Sequence, residues 1–227
     1  MPLNTVAAIA ALRDPASAGQ AQDPSETGTA ADRLAIRELV ENWVVWRDSG
    51  DFARFRTLWA DEGIMMATWT QGSADYFIQM TKDGLAKGVS ILHFLGGNSA
   101  EIHGNRAISQ TKMTISQRAK VDGQRVDVVC TGRFYDFLEK RNDKWLLVLR
   151  QPIYEKDRMD VIDPDPANPL TVDQAILSQF PEGYQHLAYL QTKIGYKVKT
   201  DMPGLWGPGV EALYARGKQW LAGGPAQ

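Results

Sequence analysis

Asp48 closes the run RLAIRELVENWVVWRD, two residues after Trp46, at a point where the apolar spacing says a helix is ending. A carboxylate there meets the partial negative charge of a helix C-terminus. It must therefore be well solvated, paired, or held at a raised pKa for a purpose. The natural partner for proton chemistry is an imidazole, the side chain whose ordinary pKa lies near neutrality. The chain has three histidines, His93, His103 and His186, and one cysteine, Cys130. A carboxylate bonded to one ring nitrogen makes the other a base and stabilises the imidazolium once formed. Such a pair suffices for β-elimination, dehydration, retro-aldol cleavage or a proton-shift isomerisation, and none of these needs a coenzyme. The histidines show no HxxxH or HxH spacing, and a lone cysteine forms neither an internal disulfide nor a cysteine-cluster site. The expectation is a protein with no metal and no cofactor.

Composition narrows the classes further. At 227 residues with 44% hydrophobic and 23% charged residues, the chain fits one domain with appendages and can bury a sizeable core. Net charge is −2 with mixed signs, unlike the basic face of a nucleic-acid binder. No apolar run approaches the ~20 residues needed to cross a bilayer. The opening MPLNTVAAIAALRD has a short apolar patch but no basic residue before it. It reads as a non-secreted N-terminus, so the expectation is a cytoplasmic protein without nucleic-acid or membrane partners.

The elements that must hold the acid and the imidazole follow from periodicity. Leu34, Leu39, Trp43 and Trp46, then Phe52, Phe55, Leu58 and Trp59, suit two helical segments, the second ending near Trp59. Gly50 can end the first helix and Asp51 can cap the second. Residues 1–30 form a flexible N-terminal arm; DPASAGQAQDPSETGTAA within it is too poor in large apolar residues to offset its ordering entropy. IMMATWT (64–70) suits a strand, and Ser73 can cap a third helix over 73–87. From His93 onward the pattern changes to strands. Asp122-Gly123 is a hairpin signal, and residues 140–143 make a further turn. In 124–140, Val126, Val128, Cys130, Gly132 and Phe134 point one way; Val129, Thr131, Arg133, Tyr135 and Phe137 point the other. Pro152 restricts the last strand there to an edge or a bulge. Helices followed by an antiparallel meander make an α+β plan. DPDPANPL (163–170) closes the domain of residues 31–162. Beyond it, a 163–227 extension has three helices, near 171–180, 184–195 and 208–222. Its many aromatic residues must cover the chain's own domain, a neighbouring subunit, or the mouth of a pocket.

The segments WRDSGDFARFRTLWADEG, HFLGGNSAEIHGNRA, TGRFYDF and DKWLLVLR, in that order, resemble the SnoaL-like branch of the nuclear transport factor two-like superfamily. The resemblance runs from about Arg33 to Asp157. It implies a cone-shaped α+β barrel, with a curved antiparallel sheet wrapped around N-terminal helices and a deep, mostly apolar pocket. Members of that family include cofactor-free dehydratases, dehydrochlorinases, isomerases, polyketide cyclases and carbon–carbon lyases, beside members without catalysis. In the dehydratase and dehydrochlorinase-like members an aspartate ending the first helix orients a histidine that follows the third. Asp48 and His93 fall on those positions, and Arg150 matches an arginine late in the final strand. The long arm and the aromatic extension depart from the pattern.

The resemblance thus implies His93 as general base, Asp48 as its orienting carboxylate, and Arg150 as the group that stabilises negative charge on the substrate or leaving group. Structural readings stand beside these. His93, between Leu92 and Phe94, suits a core residue bonded to a carbonyl; Asp48 suits a helix-ending turn; Arg150 could bridge to Asp136 or Glu155. Trp43, Met65, Trp69 and Phe94 are candidate pocket walls that equally suit a core. Arg133 and Tyr135 share one strand face and line either the pocket or a surface. His103 and His186 read as a turn residue and a packing or surface residue. The function expected is a cofactor-independent lyase for a small, largely apolar or aromatic compound. The alternatives are an isomerase or polyketide-cyclase-type enzyme with the same base, or a non-catalytic binding or assembly protein. A His93 within reach of Asp48 beside an open cavity favours the enzyme; a cavity closed by packed aromatics counts against it. The arm, the tail and the family habit point to a homo-oligomer, a trimer before a dimer.

Overall fold

Helix α1 (Ala30–Ser49) is defined at both ends by side chains and a glycine. At its start Thr29 and Asp32 form a capping box: the Asp32 N–H donates to Thr29 Oγ1 (3.1 Å) and the Thr29 N–H to Asp32 Oδ2 (3.3 Å). Asp32 Oδ1 also accepts from Lys140 Nζ (3.0 Å) and Trp145 Nε1 (2.9 Å), tying the helix start to the far end of the sheet. At its finish Gly50 adopts a left-handed conformation (φ 75°), which a glycine takes without a Cβ penalty. The buried face is Ile36, Leu39, Val40, Trp43, Val44 and Arg47, and the last of these is a cation at a core position. The computed structural model describes residues 27–227, so the expected arm lies outside the described residues except for its last four.

Asp51 caps the short helix α2 (Phe52–Arg56) by accepting the Arg54 N–H at 3.1 Å. The expected helix to Trp59 stops early. Strand β1 begins at Trp59, and the Leu58 carbonyl accepts the Leu147 N–H at 2.8 Å, so inter-strand pairing overrides the local helical spacing. β2 (Gln71–Ser73) precedes α3 (Ala74–Ala86), which Ser73 caps through the Tyr76 N–H at 3.2 Å. Four long strands follow: β3 (Ser90–His103), β4 (Arg106–Val121), β5 (Gln124–Arg141) and β6 (Lys144–Val161). The β4–β5 and β5–β6 hairpins turn at Asp122-Gly123 (φ 48° and 86°) and Asn142-Asp143 (φ 48° and 60°). Two positive φ values in succession match the right-handed twist of the paired strands.

The strand order is β2-β1-β6-β5-β4-β3. The fold class is α+β, as expected, but the sheet is mixed rather than purely antiparallel, because β1 runs parallel to β6 with Met65 opposite Arg150. It is also open, with β2 and β3 as edges, and does not close into a barrel. Irregularities between Leu95 and Asn98, between Thr131 and Gly132, and between Phe137 and Leu138 curve it around α1. Pro152 lies just past the end of the β1 pairing, where its missing N–H removes no ladder bond.

Both sheet faces are covered. The inner face packs on α1, α2 and α3 around Trp43, Phe55, Phe77 and Phe134. The outer face carries Tyr135, Phe137, Leu149 and Ile153 against helix α6 (Pro208–Leu221) through Val210, Leu213 and Trp220. Arg106 fastens α6, with its guanidinium 4.0 Å from the Trp220 ring centre and Nη1 donating to the Trp220 carbonyl at 3.0 Å. Between these lie α4 (Gln174–Leu177), a 3-10 turn (Glu182–Tyr184) and α5 (Gln185–Lys193). Tyr184, Leu187, Tyr189 and Leu190 are buried at the inner side of the sheet. Tyr184, Tyr189 and Trp220 of the extension are therefore packed on the chain's own domain, while Trp206 is 83% exposed. Among the described residues no helix is long and apolar enough to cross a membrane.

Candidate active site

Asp48 occupies the last turn of α1, and His93 lies on β3, an edge strand with unpaired backbone donors on one side. The carboxylate meets both needs. Its Oδ2 accepts the His93 backbone N–H at 2.6 Å, and its Oδ1 lies 2.9 Å from His93 Nδ1. Arg47 Nη1 donates to the same Oδ1 at 3.0 Å and to the Ile91 carbonyl at 3.2 Å, stitching helix end to strand edge. Three donors thus offset the unfavourable helix-terminal charge.

Burial pushes the Asp48 pKa up, but the hydrogen bond and charge of His93, the charge of Arg47 and the backbone N–H outweigh it, so the net shift is downward. Asp48 is a carboxylate. Burial pushes the His93 pKa down; the bond to Asp48 opposes this, while Arg47 and Arg150 add to it. His93 is therefore neutral at physiological pH, with its proton assigned to Nδ1 by the carboxylate it faces. No described residue bonds to Nε2, which leaves that lone pair unengaged.

His93 lines a chamber of about 30 Å³ whose walls include Trp43, Met65, Trp69, Phe77 and Phe134. That volume suits a few waters and no organic substrate. The polar exceptions in the wall are Arg47, Thr68, Tyr154 and Gln191. Trp43 organises the aromatic side: its ring lies 5.5 Å from the His93 ring, edge to face, and 5.3 Å from Phe134. A neck of about 10 Å³ shares Arg47, Trp69, Ile91 and Gln191 with the chamber wall, and shares Gly84, Val89 and Tyr196 with the wall of a surface groove of about 470 Å³. Among the described residues no group of three or more His, Cys, Asp or Glu could hold a metal ion.

A sequence profile of the SnoaL-like domain matches residues 28–151, more than half of the chain. The chain belongs to the SnoaL-like family. It is 39% identical over 204 residues to PEP2-like protein NECHADRAFT_97050 of Fusarium vanettenii, covering 85% of this chain and 86% of the relative. It is 38% identical over 206 residues to Pea pathogenicity protein 2 of the same fungus, covering 86% and 87%. Such coverage is more than residues 1–151 can supply, so the likeness runs into the extension. Among solved structures, a hexachlorocyclohexane dehydrochlorinase (LinA) Type2 superposes with a TM-score of 0.50 at 11% identity, over 61% of this chain and 94% of that one. That likeness is one of fold.

This SnoaL-like chain brings some of the expected site residues together and separates others. His93, Trp43, Met65 and Trp69 line the chamber, and Asp48 reaches it only through its bond to His93. Arg150 does not line it. Its side chain is 0% exposed, forks onto Asp136 with two bonds of 2.7 Å, and lies between the rings of Trp43 (4.3 Å) and Phe134 (3.9 Å). It braces the chamber wall from behind, so the expected contact with substrate is corrected. Phe94 is also corrected: strand alternation that turns His93 inward turns Phe94 outward, where it is 62% exposed. Arg133 and Tyr135 lie on the outer face. Arg133 pairs with Glu155 (2.6 Å) and bonds to Gln110 and Tyr214, while Tyr135 packs on Phe137 and Tyr214. Of the other histidines, His186 Nδ1 lies 2.8 Å from Asp157, which also accepts the Leu187 N–H, and so anchors the start of α5.

Sequence reasoning missed Arg47, Phe134, Tyr154 and Gln191. Arg47 had a signal, since it follows Trp43 by four residues and so shares the buried face of α1. Phe134 belonged to the strand face opposite Tyr135. Gln191 had none.

Proposed function

We propose that this protein is a cofactor-free lyase for a small, largely apolar compound, aromatic rings included, with His93 as general base. One observation carries the reading: a neutral imidazole is held by an ionised carboxylate, with its free nitrogen beside an aromatic-walled chamber. In this mechanism Nε2 removes a proton from carbon, and the electron pair left behind forms the new double bond as a β-substituent departs. Asp48 stabilises the imidazolium so formed, which returns its proton to the leaving group. Arg47, not Arg150, is the cation at the chamber wall.

An isomerase or cyclase uses the same first step and differs only in where the proton returns. The small size of the chamber favours a second reading, a non-catalytic protein whose interior is filled by its own side chains. One experiment separates catalysis from that alternative without a known substrate. Exchange of the α-protons of small aryl ketones into D2O is followed by NMR with the wild type, His93→Ala and Asp48→Asn. We expect catalysed exchange in the wild type and a loss of roughly 10²–10⁴-fold in His93→Ala with the fold retained by circular dichroism. Exchange unaffected by His93→Ala would exclude the base role.

A further inference from the structure

Arg47 and Gln191 are the polar residues common to the walls of the neck and of the chamber, and together with Trp69 and Ile91 they form the throat between the two. Gln191 comes from α5, outside the stretch matched by the SnoaL-like profile, and is 2% exposed. Its amide is held at both ends. The Thr68 hydroxyl donates to Gln191 Oε1 at 2.7 Å, and Gln191 Nε2 donates to Gln117 Oε1 at 3.2 Å. That uses one of the two Nε2 hydrogens, and the other has no acceptor among the described residues. The Arg47 Nε–H is likewise buried without an acceptor. Buried donors of this kind are costly to leave unmatched.

We propose that Gln191 and Arg47 form an oxygen-binding pair at the throat. They select substrates that carry a carbonyl or carboxylate oxygen there, with the apolar body turned toward His93. The inference rests on the chamber being the substrate site. Two N–H donors with no competing acceptor recognise an oxygen lone pair and give nothing to a hydrocarbon or to an ammonium group. Entry is from the groove past Tyr196, which lines groove and neck and meets Trp69 with the rings tilted at 56° and their centres 5.4 Å apart. Those two rings must turn and the chamber walls must part to admit a ligand, since the neck holds only about 10 Å³ and the chamber about 30 Å³.

The test compares acetophenone with ethylbenzene, nearly identical in shape and differing in the carbonyl oxygen, by titration calorimetry on the full chain. Acetophenone is expected to bind about tenfold more tightly. Gln191→Leu should bring the two affinities to within about twofold by weakening acetophenone alone. Thr68→Val, which frees the amide to rotate, should narrow the gap in the same direction and decides the matter if the leucine variant fails to fold. His93→Ala should leave the preference intact, so that loss of the base role and loss of the oxygen site are told apart. Equal affinities in the wild type, no acetophenone binding up to its solubility limit, or a preference unchanged in Gln191→Leu would each overturn the proposal. With Thr68→Val as the deciding variant, an unchanged preference does the same.

Discussion

At the scale of single residues, the His93–Asp48 pair makes a pH prediction whose sign is set by burial. The folded-state pKa of His93 lies below its ordinary value of 6.5. The imidazole therefore stays a base through pH 6.5, and the acid limb of kcat/KM should fall below that value. The bond to Asp48 raises the His93 pKa, so Asp48→Asn should move the limb further toward acid while lowering the plateau. The same depression makes a stability statement. The unfolded chain takes up a proton on His93 first as pH falls, so the contribution is complete above roughly pH 6.5 and is lost progressively below it. Chemical denaturation at stepped pH should show this loss in the wild type and a smaller one in His93→Gln. Arg150 belongs to stability too. Asp136 and Arg150 are wholly buried against each other, and Arg150→Ala should cost about 3–5 kcal/mol by leaving a carboxylate without its partner. Denaturant titration of that variant checks it.

At the scale of elements, the site exists because a helix end is docked onto a strand edge. β3 has no outer neighbour, and Asp48 takes the place of a partner strand at the His93 N–H. Helix α6 is seated on the other face by a missing side chain. A Cβ at Gly217 would lie 1.9 Å from Tyr135 Oη, so only glycine lets the helix rest there. Gly217→Ala should destabilise the chain by about 1–3 kcal/mol, and adding Tyr135→Phe should recover part of that loss in a double-mutant cycle. Tyr135 was a candidate pocket residue. Its strand alternates correctly, but β5 is buried on both faces, so alternation alone could not say which face meets the chamber.

At the scale of the whole molecule, the extension is structural as well as a wall of the site. Leu190 on α5 is fully buried with Leu187 and Tyr189, and Leu190→Ala should cost about 2–5 kcal/mol. A chain ending at Pro164 would bare the outer-face residues Tyr135, Phe137 and Ile153 that α6 now covers. Light scattering should find it aggregated; a soluble truncate of unchanged stability would contradict this role.

The sequence alone determined what depends on neighbours along the chain. An acid in the last turn of a capped helix, two positive-φ hairpins, three helices after the DPDPANPL break and the family-like order of motifs all follow from spacings of 2, 3 or 4 residues and from turn chemistry. The tertiary structure decided the parallel pairing of β1 with β6, the exclusion of Arg150 from the chamber, and the arrival of Gln191 opposite Thr68, 123 residues away in the chain. Each depends on which surface covers which. Local periodicity carries no record of that, because a buried face looks the same to the sequence whether a helix, a second sheet face or a cavity lies against it.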